Sequence, residues 1–343
     1  MKKALAFDDV LLTPKYSTIR SRDDVDISTS LGKHTFRVPI MSANMATVSG
    51  EQMVRTMAEL GGLGVLDRTN NNPNDVLAII QRTCVDGLVL AVSVGVGESA
   101  YTEAGGYYRA GCPIVCVDVA HGHHERVVSL VTKLLSEYAE LTVVAGNIAT
   151  KEAYQTFAKV LSDEQQERLV LKVGVGSGSL CSTRVVTGFG LPTLESLLRI
   201  VEAQDGIQLI ADGGIKNSGD IVKSLAAGAD AVMLGSLLAG TDEAPGSIIK
   251  DDRTQLKYKV YRGSASFGTK TESSGDPKYI EGAEMLIPYK GSAASVIRKL
   301  VEGIKSGFSY NGSHTLFELQ AHAQFVEITS AGSYESRPHN LLP

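Results

Sequence analysis

Eight short apolar runs recur along the chain, at 38–44, 62–66, 88–94, 114–119, 142–146, 169–173, 207–211 and 230–234, and this recurrence limits the fold more than any other feature. Each run is apolar throughout rather than alternating, as strands covered on both faces are. Stretches with helical spacing lie between most of them. Residues 125–138 carry Val127, Val128, Leu130, Val131, Leu134 and Leu135, and residues 218–227 carry Ile221, Val222 and Leu225. Eight strand-then-helix units closing on themselves make a (β/α)8 TIM barrel, an α/β fold. A doubly wound open sheet is the competing arrangement. The chain of 343 residues is long enough for two average domains, yet barrels of this class reach that size as one. We expect a single barrel domain over residues 1–343.

A formal net charge of -5 at pH 7 gives no general attraction for nucleic acid. Four cysteines are too few for a disulfide framework, and Cys112 and Cys116 lack the second pair a zinc site needs. Reduced thiols in a cytoplasmic protein are therefore expected. Asp8 and Asp9 stand where a secretory leader needs its apolar run, and no segment approaches the length of a membrane span.

A barrel of this kind places its chemistry just after the C-terminal ends of its strands. The unusual polar residues fall there. Ser42 and Asn44 close the first run, Asp118 and His121 follow the fourth, and Asn147 follows the fifth. The sixth run opens into Gly174-Val175-Gly176-Ser177-Gly178-Ser179-Leu180-Cys181, whose glycines let backbone approach a ligand closely. Cys181 on such a turn reads either as a nucleophile or as a small apolar filler. Asp212-Gly213-Gly214 after the seventh run and Gly235-Ser236 after the eighth supply the N–H turns of a phosphate site. Asp212 would repel phosphate, so its carboxylate is better placed to accept from ribose hydroxyls, and the combination suggests a nucleotide. No Gly-x-Gly-x-x-Gly opens a Rossmann unit, and Gly95-Val96-Gly97 is too short a match.

After the eighth unit the rhythm breaks. Residues 257–261 lead into Arg262-Gly263-Ser264-Ala265-Ser266 and a polar stretch over 268–277, which reads as part of a mobile flap at about 262–287 containing Glu281. An amphipathic helix over 293–308 and a C-terminal tail follow.

On Phe7-Asp8-Asp9-Val10-Leu11-Leu12, residues 174–184, Ala211-Asp212-Gly213-Gly214-Ile215, Tyr261-Arg262-Gly263 and Pro288-Tyr289-Lys290-Gly291, the chain resembles the inosine monophosphate dehydrogenase and guanosine monophosphate reductase superfamily. The resemblance implies a homotetrameric oxidoreductase of purine metabolism, in which Cys181 attacks C2 of a purine nucleotide beside a nicotinamide cofactor. Three features point to the reductase. No regulatory modules interrupt the barrel after its second strand. Ser42-Ala43-Asn44-Met45 has the reductase-like Asn-Met. The flap reads Asp276-Pro277-Lys278-Tyr279, without the dehydrogenase Arg-Tyr pair that activates water. Tyr261-Arg262-Gly263-Ser264-Ala265-Ser266 is mixed. The tail over 330–339 points the other way, since it resembles the dehydrogenase C-terminus that completes a potassium site in a neighbouring subunit. Ser177 stands where both branches have proline, which implies a looser loop.

As a GMP reductase the chain would use Cys181, Thr183 and Glu281 in catalysis. It would bind GMP or IMP through Ser42, Ser179, Asp212, Gly214, Gly235, Ser236, Tyr261, Gly263 and Ser264. NADPH, or alternatively NAD, would lie along Asp118, Ala120, His121, Asn147, Gly174 and Gly176. A potassium ion would sit on carbonyls of Gly176, Gly178 and Cys181, completed by Glu335 and Ser336 of a neighbouring subunit. No basic cluster in the sequence decides between the cofactors. The alternatives are an NAD-dependent IMP dehydrogenase and a catalytically silent nucleotide-binding paralogue, the last disfavoured by the presence of Cys181, Thr183 and Glu281.

Overall fold

All eight expected runs form strands: β1 (Ile40–Ser42), β2 (Leu63–Leu66), β3 (Leu90–Val94), β4 (Ile114–Asp118), β5 (Thr142–Ile148), β6 (Leu169–Val173), β7 (Gln208–Asp212) and β8 (Ala231–Leu234). The computed structural model describes residues 3–69, 72–203, 206–266 and 280–336. The strands close in the order β7-β8-β1-β2-β3-β4-β5-β6, every neighbouring pair parallel. The closed barrel excludes the open-sheet alternative. Around it stand α1 (Glu51–Glu59), α2 (Pro73–Val85), α3 (Ala100–Arg109), α4 (Glu125–Glu137), α5 (Lys151–Val160), α6 (Thr193–Val201), α7 (Ser218–Ala226) and α8 (Ala293–Asn311). Among the described residues no helix is long and apolar enough to cross a membrane.

Local chemistry fixes where these helices begin and which face they bury. The side chains of Asn72, Thr150, Asn217 and Ser292 each accept a backbone N–H from the first turn of α2, α5, α7 and α8, satisfying donors that the helix itself leaves open. Pro73 at the head of α2 has its φ preset for a helix start. On α4, Val127, Val131, Leu134 and Leu135 share one face and are buried against the barrel wall.

One end of the barrel is plugged. A hairpin of Thr29–Leu31 and His34–Phe36 lies across the N-terminal ends of the strands. The Gly32 N–H at its tip donates to Gln208 Oε1 at the start of β7, at 2.7 Å. Gly32 has φ +55°, and a Cβ there would fall 2.3 Å from Thr142 Oγ1 at the start of β5, so glycine alone fits this turn. The opposite end stays open.

Beyond β8, Ile249–Lys250, Lys257–Arg262 and Glu284–Pro288 form a three-stranded antiparallel sheet. Both described ends of the segment read as a flap are thus held by pairing, Arg262 opposite Glu284. The remainder of that segment, with Asp276, Pro277, Lys278 and Tyr279, lies outside the described residues. Val10–Leu12 pairs antiparallel with Phe325–Glu327 and joins the two ends of the chain.

Asp230, at the foot of β8, supplies a pH test of this packing. Its carboxylate accepts the Leu209 N–H at 2.8 Å, and burial pushes its pKa up to about 6. The folded carboxyl therefore keeps its proton into a range where the unfolded one has released it, so its destabilising contribution is absent near pH 4 and grows as pH rises through 6. Asp230→Asn keeps an acceptor for Leu209. We expect its stability in urea to match wild type near pH 4 and to exceed it by about 1–2 kcal/mol at pH 7–8, given about 1.4 kcal/mol per pKa unit. A difference independent of pH would remove Asp230 as the cause.

Candidate active site

Burial separates the four thiols. Cys112 and Cys116 are fully buried, and burial pushes both up to about 12, out of reach of nucleophilic chemistry at neutral pH. Burial also raises Cys84. Cys181 is exposed at the open end of the barrel.

The loop carrying Cys181 is held tightly where it leaves β6. Gly174 has φ +149°, and a Cβ there would fall 1.9 Å from the carbonyl oxygen of Asp212. Ser177 does not leave the loop loose. Its hydroxyl donates to the Asp212 carbonyl at 3.1 Å and accepts from Thr193 Oγ1 at 2.8 Å, tying the loop to β7 and α6. A proline could not make these bonds.

A hydrogen-bonded chain runs from the thiol. Cys181 Sγ donates to Thr183 Oγ1 at 3.1 Å, and Thr183 Oγ1 donates to Glu281 Oε2 at 2.7 Å. Backbone pairing brings Glu281 there from far along the sequence. Ser182 N–H donates to Glu281 O at 3.0 Å, Ala283 N–H to Leu180 O at 2.9 Å, and Cys181 forms an antiparallel bridge with Gly282. Glu281 N–H donates in turn to Ala265 O at 3.1 Å. A thiol, a hydroxyl and a carboxylate thus form a path along which a proton can pass.

The thiol opens onto a cleft of about 620 Å³. Its floor contains a residue that the sequence reading passed over, Lys172. This lysine belongs to β6, and its side chain is 2% exposed. Its Nζ donates to Asp118 Oδ1 of β4 at 2.8 Å and to Asp212 Oδ2 of β7 at 2.7 Å, and also to Asn147 Oδ1 of β5. Asn147 Nδ2 donates to Asp212 Oδ2 at 2.9 Å and to the Gly174 carbonyl at 2.6 Å. Burial opposes the lysine's charge, but Asp118 and Asp212 outweigh it and hold the ammonium above the ordinary lysine value. Burial likewise opposes the charge of Asp118, and Lys172, with a hydrogen bond from Asn44, holds it below the usual carboxylate range. Gly146 makes this possible, since a Cβ there would fall 2.7 Å from Lys172 Cβ.

Most of the residues expected at the site converge here. On one side the cleft is lined by Asp118, Ala120 and Asn147; on the other by Gly214, Gly235, Ser236 and Tyr261. Gly174, Gly176, Gly178 and Ser179 line it from the cysteine loop, and Gly263, Ser264 and Glu281 from the base of the flap. Tyr261 Oη lies 3.4 Å from Ser179 Oγ.

Two expectations are displaced, Ser42 and His121. Ser42 is fully buried behind the lining and spends its hydroxyl on Ser49 Oγ at 2.7 Å and the Val65 N–H at 3.3 Å. His121 does not line the cleft, because past Val119 the chain turns back along β5, with Gly122 N–H donating to Asn147 O at 2.7 Å. The His121 ring instead meets that of His123 edge-on. Glu335 and Ser336, expected to serve a neighbouring subunit, lie at the end of the helix Ser330–Glu335, away from the cleft of their own chain. The sequence reading also missed Phe7, Met45 and Arg68, all in the lining. Met45 beside Asn44 and Arg68 two residues past the end of β2 both carried the strand-end signal, and Phe7 heads the first motif of the resemblance. Among the described residues no group of three or more His, Cys, Asp or Glu could hold a metal ion.

Comparison with known proteins agrees with this geometry. A family model described as IMP dehydrogenase / GMP reductase domain matches residues 4–339. A protein of Chlorobaculum tepidum named inosine-5'-monophosphate dehydrogenase is 42% identical over 266 residues, covering 73% of this chain and 52% of that protein, so the match spans about half of the relative. One of Nitrosopumilus maritimus with the same name is 29% identical over 479 residues, covering 99% of both. Among solved structures, a variant of GMP reductase from Trypanosoma brucei, in complex with guanosine 5'-monophosphate, superposes with a TM-score of 0.92 at 27% identity, covering 100% of this chain and 99% of that one.

The packing of the loop on β7 can be tested without any ligand. Gly174→Ala forces a side chain onto backbone and should lower stability by about 2–4 kcal/mol in urea denaturation, whereas Ser177→Ala, which removes two hydrogen bonds, should lower it by about 1–2 kcal/mol. An unchanged midpoint for Gly174→Ala would count against the close approach of loop and strand.

Proposed function

The chain belongs to the IMP dehydrogenase / GMP reductase family, oxidoreductases that use a nicotinamide cofactor, and we propose that this member is a GMP reductase, converting GMP to IMP and ammonia with NADPH. The observation that carries the reading is the path from Cys181 through Thr183 to Glu281. An amino group bound to carbon does not depart at neutral pH as an amide ion, so its release needs an acid beside the thiol that replaces it. In this reading Thr183, backed by Glu281 and bonded to the thiol, supplies that acid. The uninterrupted barrel and the Asn44-Met45 pair add support, Asn44 bonding to Asp118 and Met45 lining the cleft.

In this reading Asp212 keeps Oδ1 for the ribose, since both of its described hydrogen bonds fall on Oδ2. The glycine turns at Gly214 and Gly235 take the phosphate. Cys181 loses its proton through Thr183 to Glu281 and adds to C2, and the electron pair of the C2–N3 double bond moves onto N3, which takes a proton from solvent. Glu281 returns its proton through Thr183 to the exocyclic nitrogen. The C2–N bond then breaks, N3 gives up its proton, and a thioimidate remains. Asp118, Ala120 and Asn147 would hold a reduced nicotinamide, whose chemistry there would be hydride donation to C2. The C2–S bond breaks, and the thiolate recovers a proton. Overall, GMP, reduced cofactor and two protons become IMP, oxidised cofactor and ammonium.

The cysteine loop offers carbonyls of Gly176, Gly178 and Cys181 to a monovalent cation, and that of Gly178 already accepts from Cys181 N–H at 3.0 Å. Because Glu335 and Ser336 do not line their own cleft, their contribution would come from a second copy, consistent with a homotetramer. We read the chain as one barrel domain without inserted modules; α2 is the single helix between β2 and β3 among the described residues.

A second reading is IMP dehydrogenase, with water in place of ammonia, favoured by the names of relatives at 42% identity. Absorbance at 340 nm separates the two. We expect loss of absorbance with GMP and NADPH, ammonia appearing in equal amount, and no gain with IMP, NAD and potassium; the reverse would establish the dehydrogenase. Thr183→Val and Glu281→Gln should each lower kcat by about 100-fold or more. Cys181→Ala should abolish turnover while still binding GMP.

A further inference from the structure

Lys172 has no part in the proton path, yet it is among the largest side chains fully buried in the protein. An ammonium is not kept in a barrel interior for packing, because an apolar side chain of similar volume fills the same space without the loss of hydration. Its placement gives the reason. Asp118 stands on the side of the cleft read as the dinucleotide site and Asp212 on the side read as the nucleotide site, and Lys172 bonds to both, at 2.8 and 2.7 Å. Asn147 adds a second brace, linking Lys172 to Asp212 and to the start of the cysteine loop. Removing the ammonium would leave two carboxylates near each other in a poorly hydrated floor, where like charges repel and both side chains lose their fixed directions.

We propose that Lys172 is a positioning residue that couples the two halves of the cleft, holding Asp212 toward the purine nucleotide and Asp118 toward the dinucleotide so that a change on one side alters affinity on the other. The role rests on the functional reading above. It makes Lys172 the hub through which the two ligands sense each other, while the Cys181–Thr183–Glu281 path stays separate from it.

Calorimetric binding of GMP, IMP and NADPH to the purified full chain tests this, with the rate of Cys181 alkylation as a control for the loop. Lys172→Met should weaken both GMP and NADPH by at least 10-fold with alkylation within 2-fold of wild type, and Lys172→Arg, which keeps the charge, should recover part of both affinities. Asp118→Asn leaves Asp212 as the only carboxylate on Lys172, so it should weaken GMP binding about 3-fold or more although Asp118 stands on the other side. A lysine that only fills space predicts no rescue by arginine and no effect of Asp118→Asn on GMP. If Lys172→Met does not melt cooperatively, the arginine and Asp118→Asn variants decide. Unchanged GMP affinity in Asp118→Asn overturns the coupling. Wild-type protein that binds neither GMP nor IMP overturns the functional reading and this role together; normal wild-type binding with Lys172→Met affinities within 2-fold overturns the Lys172 role alone.

Discussion

A closed parallel barrel has no sheet edge and two ends, and everything distinctive about this protein follows from which end is left open. The hairpin around Gly32 fills the N-terminal end by hydrogen-bonding Gln208 and packing on Thr142. Chemistry is then confined to the loops that follow the strands, where successive strands deliver side chains toward one axis. Residues from β4, β5, β6 and β7 meet there although the first and last are 94 positions apart, Asp118 to Asp212. No single loop could assemble Asp118, Asn147, Lys172 and Asp212; the closure of the sheet does it.

Closure also makes the site depend on small residues placed between large ones. Gly146 lies in register between Asp118 and Lys172, and its missing side chain is the gap across which the lysine reaches β4. Gly174 performs the same service for the cysteine loop, which could not lie against the Asp212 carbonyl with any side chain present. The loop of the thiol and the strand end of Asp212 are therefore fixed to each other through backbone, and Ser177 strengthens that link by hydrogen bonds of its own.

Much of this was legible in the sequence because apolar periodicity reports burial directly. The eight runs, and helices such as Glu125–Glu137 and Ser218–Ala226, are where burial demands them. Strand ends are equally legible, so Asp118, Asn147, Cys181 and Asp212 could be picked out as residues for the open end. What was not legible is direction. Ser42 ends its strand like the others but turns its hydroxyl to β2, and His121 is carried off by a backbone bond from Gly122 to Asn147. Periodicity also hides a charge that is compensated from afar: Lys172 sits inside an apolar run, and nothing local announces that its partners are 54 and 40 residues away. A lone lysine in a strand covered on both faces was the signal, because an unpaired ammonium could not remain there. Glu281 has no local signal for its partnership with Thr183 98 residues earlier, and it came from resemblance.

The two reactions open to this family share a covalent state on the cysteine and differ in what approaches its C2 from outside. Hydride comes from one face in either direction, so selectivity falls on whether ammonia or water is handled at the other. Handling ammonia requires a group that gives up a proton to the departing nitrogen and is ready beforehand. Thr183 meets the second condition because it is 8% exposed and already bonded on both sides, to Cys181 and Glu281, so no reorganisation precedes transfer. Handling water requires instead a base that withdraws a proton, and the same Glu281, once it has received the thiol proton, is occupied and cannot serve as one in that turnover until the proton leaves. A path that returns the thiol's own proton to the nitrogen favours ammonia by its order of events, and this is the physical ground for the proposal of reduction.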